Sequence, residues 1–228
     1  MTHRSLLVLG ASGGVGREVL VQGLEAGHSI TAVTRSRSTI QAAHPRLAVH
    51  EADALDPRAL TAITAGHDAV IVVLGGGRKG GVRGPGTAAA IAAMQETGVR
   101  RLVVQSSLGV GDSRPALTPF WKYVMFGLLL REGYADHHEQ ERVTRASGLD
   151  WTITRPGAFV DGPRTRRYRR GFPPVRERRV ATISRPDVAD LLLELAVDGG
   201  HLHEAVTQGY VTGAPLPEPL SASGARSA

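Results

Sequence analysis

The chain has 228 residues, 42% hydrophobic and 21% charged, ordinary globular values that exclude a fibrous or disordered chain and suit one well-buried α/β domain. It has no cysteine, which removes disulfides, thiolate metal sites and a cysteine nucleophile, and fits a reducing cytoplasm. The net charge is +6, but residues 164–179 hold eight arginines against one glutamate; with aromatics at 4%, this single basic stretch argues against a nucleic-acid surface.

Met1-Thr2-His3-Arg4 leads straight into an apolar run, Ser5 to Leu9, so no signal peptide is expected and a first strand is. The strand meets Gly10 to Gly16, GASGGVG, and then a helical pattern from Val15. Strand, glycine turn and helix form the opening unit of a dinucleotide-binding α/β domain, with N–H groups at the helix start to hold a pyrophosphate. Gly10 turns the chain, Gly13 or Gly14 admits a phosphate with Ser12 and Val15 alongside, and Gly16 lets the helix pack closely. The second strand, Ser29 to Thr34, ends at Arg35, where an NAD-selective site would put a carboxylate. A guanidinium pairs instead with a 2′-phosphate, so NADP(H) is the expected cofactor, with a solvated loop arginine as the alternative.

The third strand, Leu47 to Glu51, runs into Asp53-Ala54, near the expected adenine, and Asp56-Pro57 starts a helix. The fourth, Ala69 to Leu74, ends in Gly75-Gly76-Gly77 and a basic, glycine-rich loop to Gly86, expected to be a mobile edge of the site. Leu74, Gly75 and Gly76 are assigned to the nucleotide. A helix from Thr87 to Thr97 leads to the fifth strand, Arg101 to Gln105, and to Ser106-Ser107. Ligands of open α/β sheets bind at the carboxyl ends of strands, so these hydroxyls face the meeting point of nicotinamide and substrate.

Pro119 to Arg131 (PFWKYVMFGLLLR) is an apolar helix that suits core, a pocket wall or a subunit contact; its run Tyr123 to Leu130 is far short of the roughly 20 residues of a membrane span. The next helix, Tyr134 to Ser147, sets Tyr134 on one face with His137 and His138. Asp136 and Glu139 accompany the histidine pair, but no third ligand has compatible spacing and no metal is assigned. The sixth strand, Trp151 to Thr154, precedes Arg155-Pro156-Gly157, with Pro156 placed against the cofactor. Residues 164–179 read as a loop or hairpin over the substrate side, within a small extension at about 161–182, and would favour an anionic small-molecule substrate. Ser184 caps a helix from Arg185 to Val197, and Glu204 to Thr212 is a last strand. Residues 1–212 form the domain, and 213–228 an expected disordered tail.

GASGGVG, Arg35, Asp53, SSLGVG after the fifth strand and SGLDWTITRPG around the sixth resemble the atypical short-chain dehydrogenase/reductases. Within them the chain is most similar to the NAD(P)H-binding, NmrA-like family that includes flavin reductase/biliverdin reductase B, from about Ser5 to Tyr210. The resemblance implies a Rossmann fold, a single doubly wound parallel sheet. It also implies NADPH held by the glycine turn and Arg35, with Asp53 and Leu74-Gly75 along the nucleotide and Ser106 or Ser107 beside the nicotinamide. The chain departs from the wider superfamily in lacking its Tyr-x-x-x-Lys pair: Tyr123 is followed four places on by Gly127, and Tyr134 by His138. A relay from Tyr134 through His137 or His138 would have to replace it. The expected activity is an NADPH-dependent reductase of a conjugated, aromatic, quinone, flavin or carbonyl acceptor, cytoplasmic, without membrane contact, and monomeric or homodimeric. The alternatives are a non-catalytic redox sensor acting on a protein partner and a redox-neutral isomerase or cyclase.

Overall fold

Strict alternation divides the strands between two apolar layers. In β1 (Ser5–Leu9), Leu6 and Val8 face one layer and Leu7 and Leu9 the other; in β4 (Ala69–Val72), Ala69 and Ile71 divide likewise from Val70 and Val72. The computed structural model describes residues 3–77, 79–171 and 182–210. Between β1 and β4 come α1 (Gly14–Glu25), β2 (Ser29–Thr34), β3 (Leu47–Glu51) and α2 (Pro57–Thr64). After β4 follow α3 (Arg83–Thr97), β5 (Arg101–Gln105), a π-helical segment (Phe120–Leu129), α4 (Arg131–Arg145) and β6 (Asp150–Pro156). The chain continues through β7 (Ala158–Val160), β8 (Arg169–Arg170), β9 (Thr182–Ser184), α5 (Arg185–Asp198) and β10 (Glu204–Gly209).

The main sheet has the order β3-β2-β1-β4-β5-β6-β10-β8, parallel but for β8 against β10, and β7 pairs with β9 beside it. Helices α1 and α5 cover one face, and α2 and α3 the other. This is the expected doubly wound sheet. Its strand order reverses between β1 and β4, which opens a crevice at the carboxyl ends.

The helix starts are not treated alike. Asp56 caps α2, accepting from the N–H groups of Arg58 at 2.9 Å and Ala59 at 3.3 Å, and Ser184 caps α5 through the N–H of Asp187 at 3.3 Å. The start of α3 is held from α4: Asp136 accepts from the N–H groups of Val82, Arg83 and Gly84 at 3.2, 3.0 and 2.9 Å. That cap extends the helix back to Arg83, so the expected loop to Gly86 ends four residues earlier. Among the described α-helices, α1 alone begins with no side chain capping it, from its own start or from another element, and with no acidic residue in its first turn.

The arginine-rich stretch also departs from expectation. Arg164 and Arg166 pair with Asp190 of α5, and Arg170 pairs with Glu194. The buried Asp187 accepts from the N–H groups of Thr165 at 2.7 Å and Arg166 at 2.9 Å. Residues 164–170 therefore run along the outer flank of α5 and line a groove with α1, because the carboxylates that neutralise them lie there. Residues 172–181 and the expected tail at 213–228 lie outside the described residues.

A buried ion pair ties α4 to β6. The Arg155 side chain is fully buried, and its Nε and Nη2 donate to Glu141 at 2.8 and 2.7 Å while Nη1 meets Asp112. Burial pushes the Glu141 carboxyl up, but the hydrogen bonds and charge of Arg155 outweigh this and hold it below its ordinary range. Replacing Glu141 with Gln leaves a buried guanidinium short of a counter-charge, and should cost about 3 kcal/mol in urea unfolding. The contribution of Glu141 to stability is present above its unfolded pKa, about 4.3, and is lost as the pH falls through the depressed folded value. The Glu141→Gln variant should therefore lose less stability than the parent on acidification.

Candidate active site

The crevice at the β1/β4 reversal is a groove of about 450 Å³. Gly10, Ser12, Gly13, Gly14 and Val15 form its floor. Its sides are Arg35 after β2, Asp53 and Ala54 after β3, and Leu74 and Gly75 after β4. Gly10 takes φ +89°, and a Cβ there would lie 2.6 Å from the carbonyl oxygen of Val73. A Cβ on Gly16 would collide with the Gly10 carbonyl; Gly16 closes the turn from beneath and lines no part of the groove.

This cradle suits a dinucleotide on two counts. The glycines leave the backbone bare where a phosphate would approach, and the uncapped first turn of α1 presents free N–H groups and the positive end of a helix dipole to it. Arg185, the first residue of α5, overhangs the turn: a Cβ on Gly14 would lie 2.8 Å from its Cδ. Its guanidinium sits 3.1 Å from Asp161 and 5.4 Å from the centre of the Phe159 ring. No local pattern singled out Arg185, since the sequence marks only a helix start there.

A second hollow, about 240 Å³, continues the groove. Arg83, Gln105 and Phe159 line both, so the two form one cleft. Ser106, Ser107 and Pro156 lie on the floor of the second hollow, with Tyr134 and His137 on its wall. Gly76 and His138 line neither hollow. Gly76 packs against the turn at Gly80, and His138 sets its ring edge-on to Tyr134 at 4.6 Å. Phe126 stacks on Tyr134 at 4.9 Å and 17°, and Trp121 meets Phe126 at 5.7 Å, which gives the pocket an aromatic wall. The Ser106 hydroxyl is buried without a hydrogen bond of normal geometry, although it lies close enough to Glu141 to help hold that carboxyl low.

The expected proton relay is not assembled. The Tyr134 hydroxyl donates to the carbonyl of Gly109 at 2.8 Å, and burial raises its pKa. Its one proton is thus committed to the backbone, and His138 touches it only through the ring. Burial, aided by the charge of Arg83, pushes His137 down to about 3, so its imidazole is neutral at pH 7. Burial likewise lowers His138.

Residues 10–198 match the sequence signature of the NAD(P)H-binding family, and the chain belongs to that family. A UPF0659 protein of Saccharomyces cerevisiae, YMR090W, is 30% identical over 171 residues, covering 70% of this chain and 71% of that protein. A protein named as the uncharacterized sugar epimerase YhfK of Bacillus subtilis is 27% identical over 207 residues, covering 82% of this chain and 86% of that protein. Among solved structures, ChuY, described as an anaerobilin reductase of Escherichia coli O157:H7, superposes with a TM-score of 0.76 at 25% identity, covering 93% of this chain and 100% of that one.

Two measurements check this geometry. Arg185→Ala should weaken NAD(P)H in a fluorescence titration by roughly tenfold, the loss of a charge-assisted contact, with the unfolding midpoint unchanged. The ring resonances of His137 should show a neutral imidazole throughout pH 5 to 8, the window in which an unperturbed histidine titrates.

Proposed function

We propose that the protein is an NADPH-dependent reductase of a small, planar, conjugated acceptor, a quinone or flavin in preference to a simple ketone. The observation that carries this reading is the continuity of the glycine-floored groove with an aromatic-walled pocket at Arg83, Gln105 and Phe159. Bound NADPH would supply hydride from its nicotinamide ring. Arg35 would take the 2′-phosphate: it is exposed, stands where a carboxylate would select NAD, and makes no ion pair with another described residue. The first turn of α1 and Arg185 would hold the pyrophosphate, with Asp53 and Ala54 toward the adenine.

Trp121, Phe126 and Tyr134 would form an aromatic wall against the acceptor ring, and Ser107, less buried than Ser106, would donate to an acceptor oxygen as it gains charge. The acceptor class follows from the protons. Tyr134 and His137 hold no acidic proton ready at neutral pH, which suits an acceptor whose reduced form tolerates an anion or takes its proton from water. A sugar-epimerase role, as in the name of one relative, would need a group able to accept a substrate proton, and the raised pKa and committed hydroxyl of Tyr134 oppose that. The same commitment favours a second reading, an NADP(H)-responsive sensor with no turnover that acts through a protein partner.

The test is titration with NADPH and NADH, then addition of a quinone, FMN and a panel of conjugated ketones. Steady NADPH oxidation with the quinone or FMN supports the reductase; tight binding without turnover on any acceptor favours the sensor. Arg35→Asp should weaken NADPH at least about tenfold more than NADH, and equal loss of both would sink the 2′-phosphate assignment. Ser107→Ala should lower kcat by roughly tenfold to a hundredfold while the Kd for NADPH stays within about twofold.

A further inference from the structure

The π-helical segment Phe120–Leu129 is apolar on both sides. Its i→i+5 geometry, seen in the bond from the Leu130 N–H to the Met125 carbonyl at 2.7 Å, stacks residues five apart. Trp121 and Phe126 accordingly turn together into the pocket. Tyr123 with Leu128, and Val124 with Leu129, turn outward; with Phe120 they are 63, 73, 38, 46 and 57% exposed. These five are the majority of the large exposed hydrophobics among the described residues, gathered in one short segment. A helix apolar all round belongs in a covered place, and a contiguous apolar patch marks a contact surface.

The charges around the patch identify what covers it. Lys122 lies over the Tyr123 ring at 5.6 Å, and Arg114 and Arg131 bracket the segment in sequence; none of the three is ion-paired with a described residue, and no Asp or Glu occurs from Ser113 to Arg131. Asp112 is committed to Arg155, which leaves Glu132 as the nearest carboxylate in sequence. A two-fold contact with a second copy would bring both sets of cations together with little to offset them. A convex helix face also gives a peptide neither a groove nor a strand edge.

We propose that this face docks on an anionic lipid surface, with Tyr123, Val124, Leu128 and Leu129 entering the interface and the three cations meeting headgroups. The contact is peripheral: no helix among the described residues is long and apolar enough to cross a membrane. It revises the expectation of no membrane contact, which rested on span length alone. On the reductase reading, an apolar acceptor dissolved in the bilayer would meet the pocket across the same helix whose inner side chains wall it; the docking itself does not rest on that reading.

The experiment is flotation of the whole chain with vesicles of phosphatidylcholine alone and of phosphatidylcholine mixed with phosphatidylglycerol, with the oligomeric state measured in parallel. The protein should float with the anionic vesicles, less so at high salt. Tyr123→Glu/Leu128→Glu should abolish flotation, and Lys122→Glu/Arg131→Glu should weaken it at least about tenfold. Both variants should bind NADPH like the parent, which separates lost docking from lost folding and from failure of the reductase reading. Absence of flotation with anionic vesicles would overturn the proposal. So would equal flotation of the Tyr123→Glu/Leu128→Glu variant, or a dimer that this variant makes monomeric.

Discussion

Arg155 ends its strand with a charged side chain wholly out of water, and a charge so placed persists only where it is matched. The match comes from Glu141, through two parallel hydrogen bonds, and from Asp112 on the turn after β5. Three elements are fixed by this one constraint. Helix α4 cannot slide on β6 without breaking the pair, and the Ser106–Asp112 loop is held at its far end. His137 and Tyr134, four and seven residues before Glu141, share its helix face and so confront Ser106 and Ser107. Two apolar residues in place of Arg155 and Glu141 would hold the layers together at no greater cost, but without a defined register. The pair is best understood as a positioning device.

The opposite edge of α4 does a second job. Asp136 caps α3 and neutralises Arg83 at 3.4 Å, while Gln140 donates to Thr87 at 3.2 Å. Burial lowers the pKa of Arg83, with Asp136 opposing. Capping α3 from a distance, together with Asp56 on α2 and Ser184 on α5, leaves the start of α1 as the open one among these helices. Of the α-helix starts that border the cleft, that of α1 has neither a capping side chain nor an acidic residue, whereas α4 carries Glu132 in its first turn; the start of α1 lies on the glycine turn. Closing the other helix starts would add to the bare glycines in selecting where a phosphate binds.

This division explains what the sequence could and could not disclose. The seven parallel strands of the main sheet were legible from local pattern, though not β8, and the glycine turn and Arg35 from their place after β1 and β2, because those signals are local. Asp136 and the helix start it caps lie more than fifty residues apart, so no window along the chain connects them, and the first turn of α3 read as loop. Arg185 reaches the cleft through tertiary packing, and nothing in its neighbours marks it, whereas Gln105 ends β5 beside Ser106, where the carboxyl-end rule pointed. The direction of Arg164–Arg170 was set by Asp190 and Glu194, which themselves read as an ordinary helix surface. The π geometry of Phe120–Leu129 was invisible for a related reason: an apolar run without polar punctuation carries no period to read.

The electrostatic plan of the pocket follows from the same layers. The titratable groups nearest the hollow are driven to their neutral forms, Tyr134 by burial and His137 by burial and Arg83 together. The ionised groups, Arg155 and Arg145 against Glu141 and Asp112, stand behind that layer, and their two positive and two negative charges offset one another. Arg83 is the exception, a cation that borders both halves of the cleft and is only partly offset by Asp136. On the reductase reading, an acceptor that gains hydride gains negative charge, and a neutral, aromatic pocket with one fixed cation at its mouth stabilises that charge without a proton donor. The absent Tyr-x-x-x-Lys pair then ceases to be a defect. It is what a site is free to omit when its acceptor, by its own chemistry, can hold the charge until water supplies the proton.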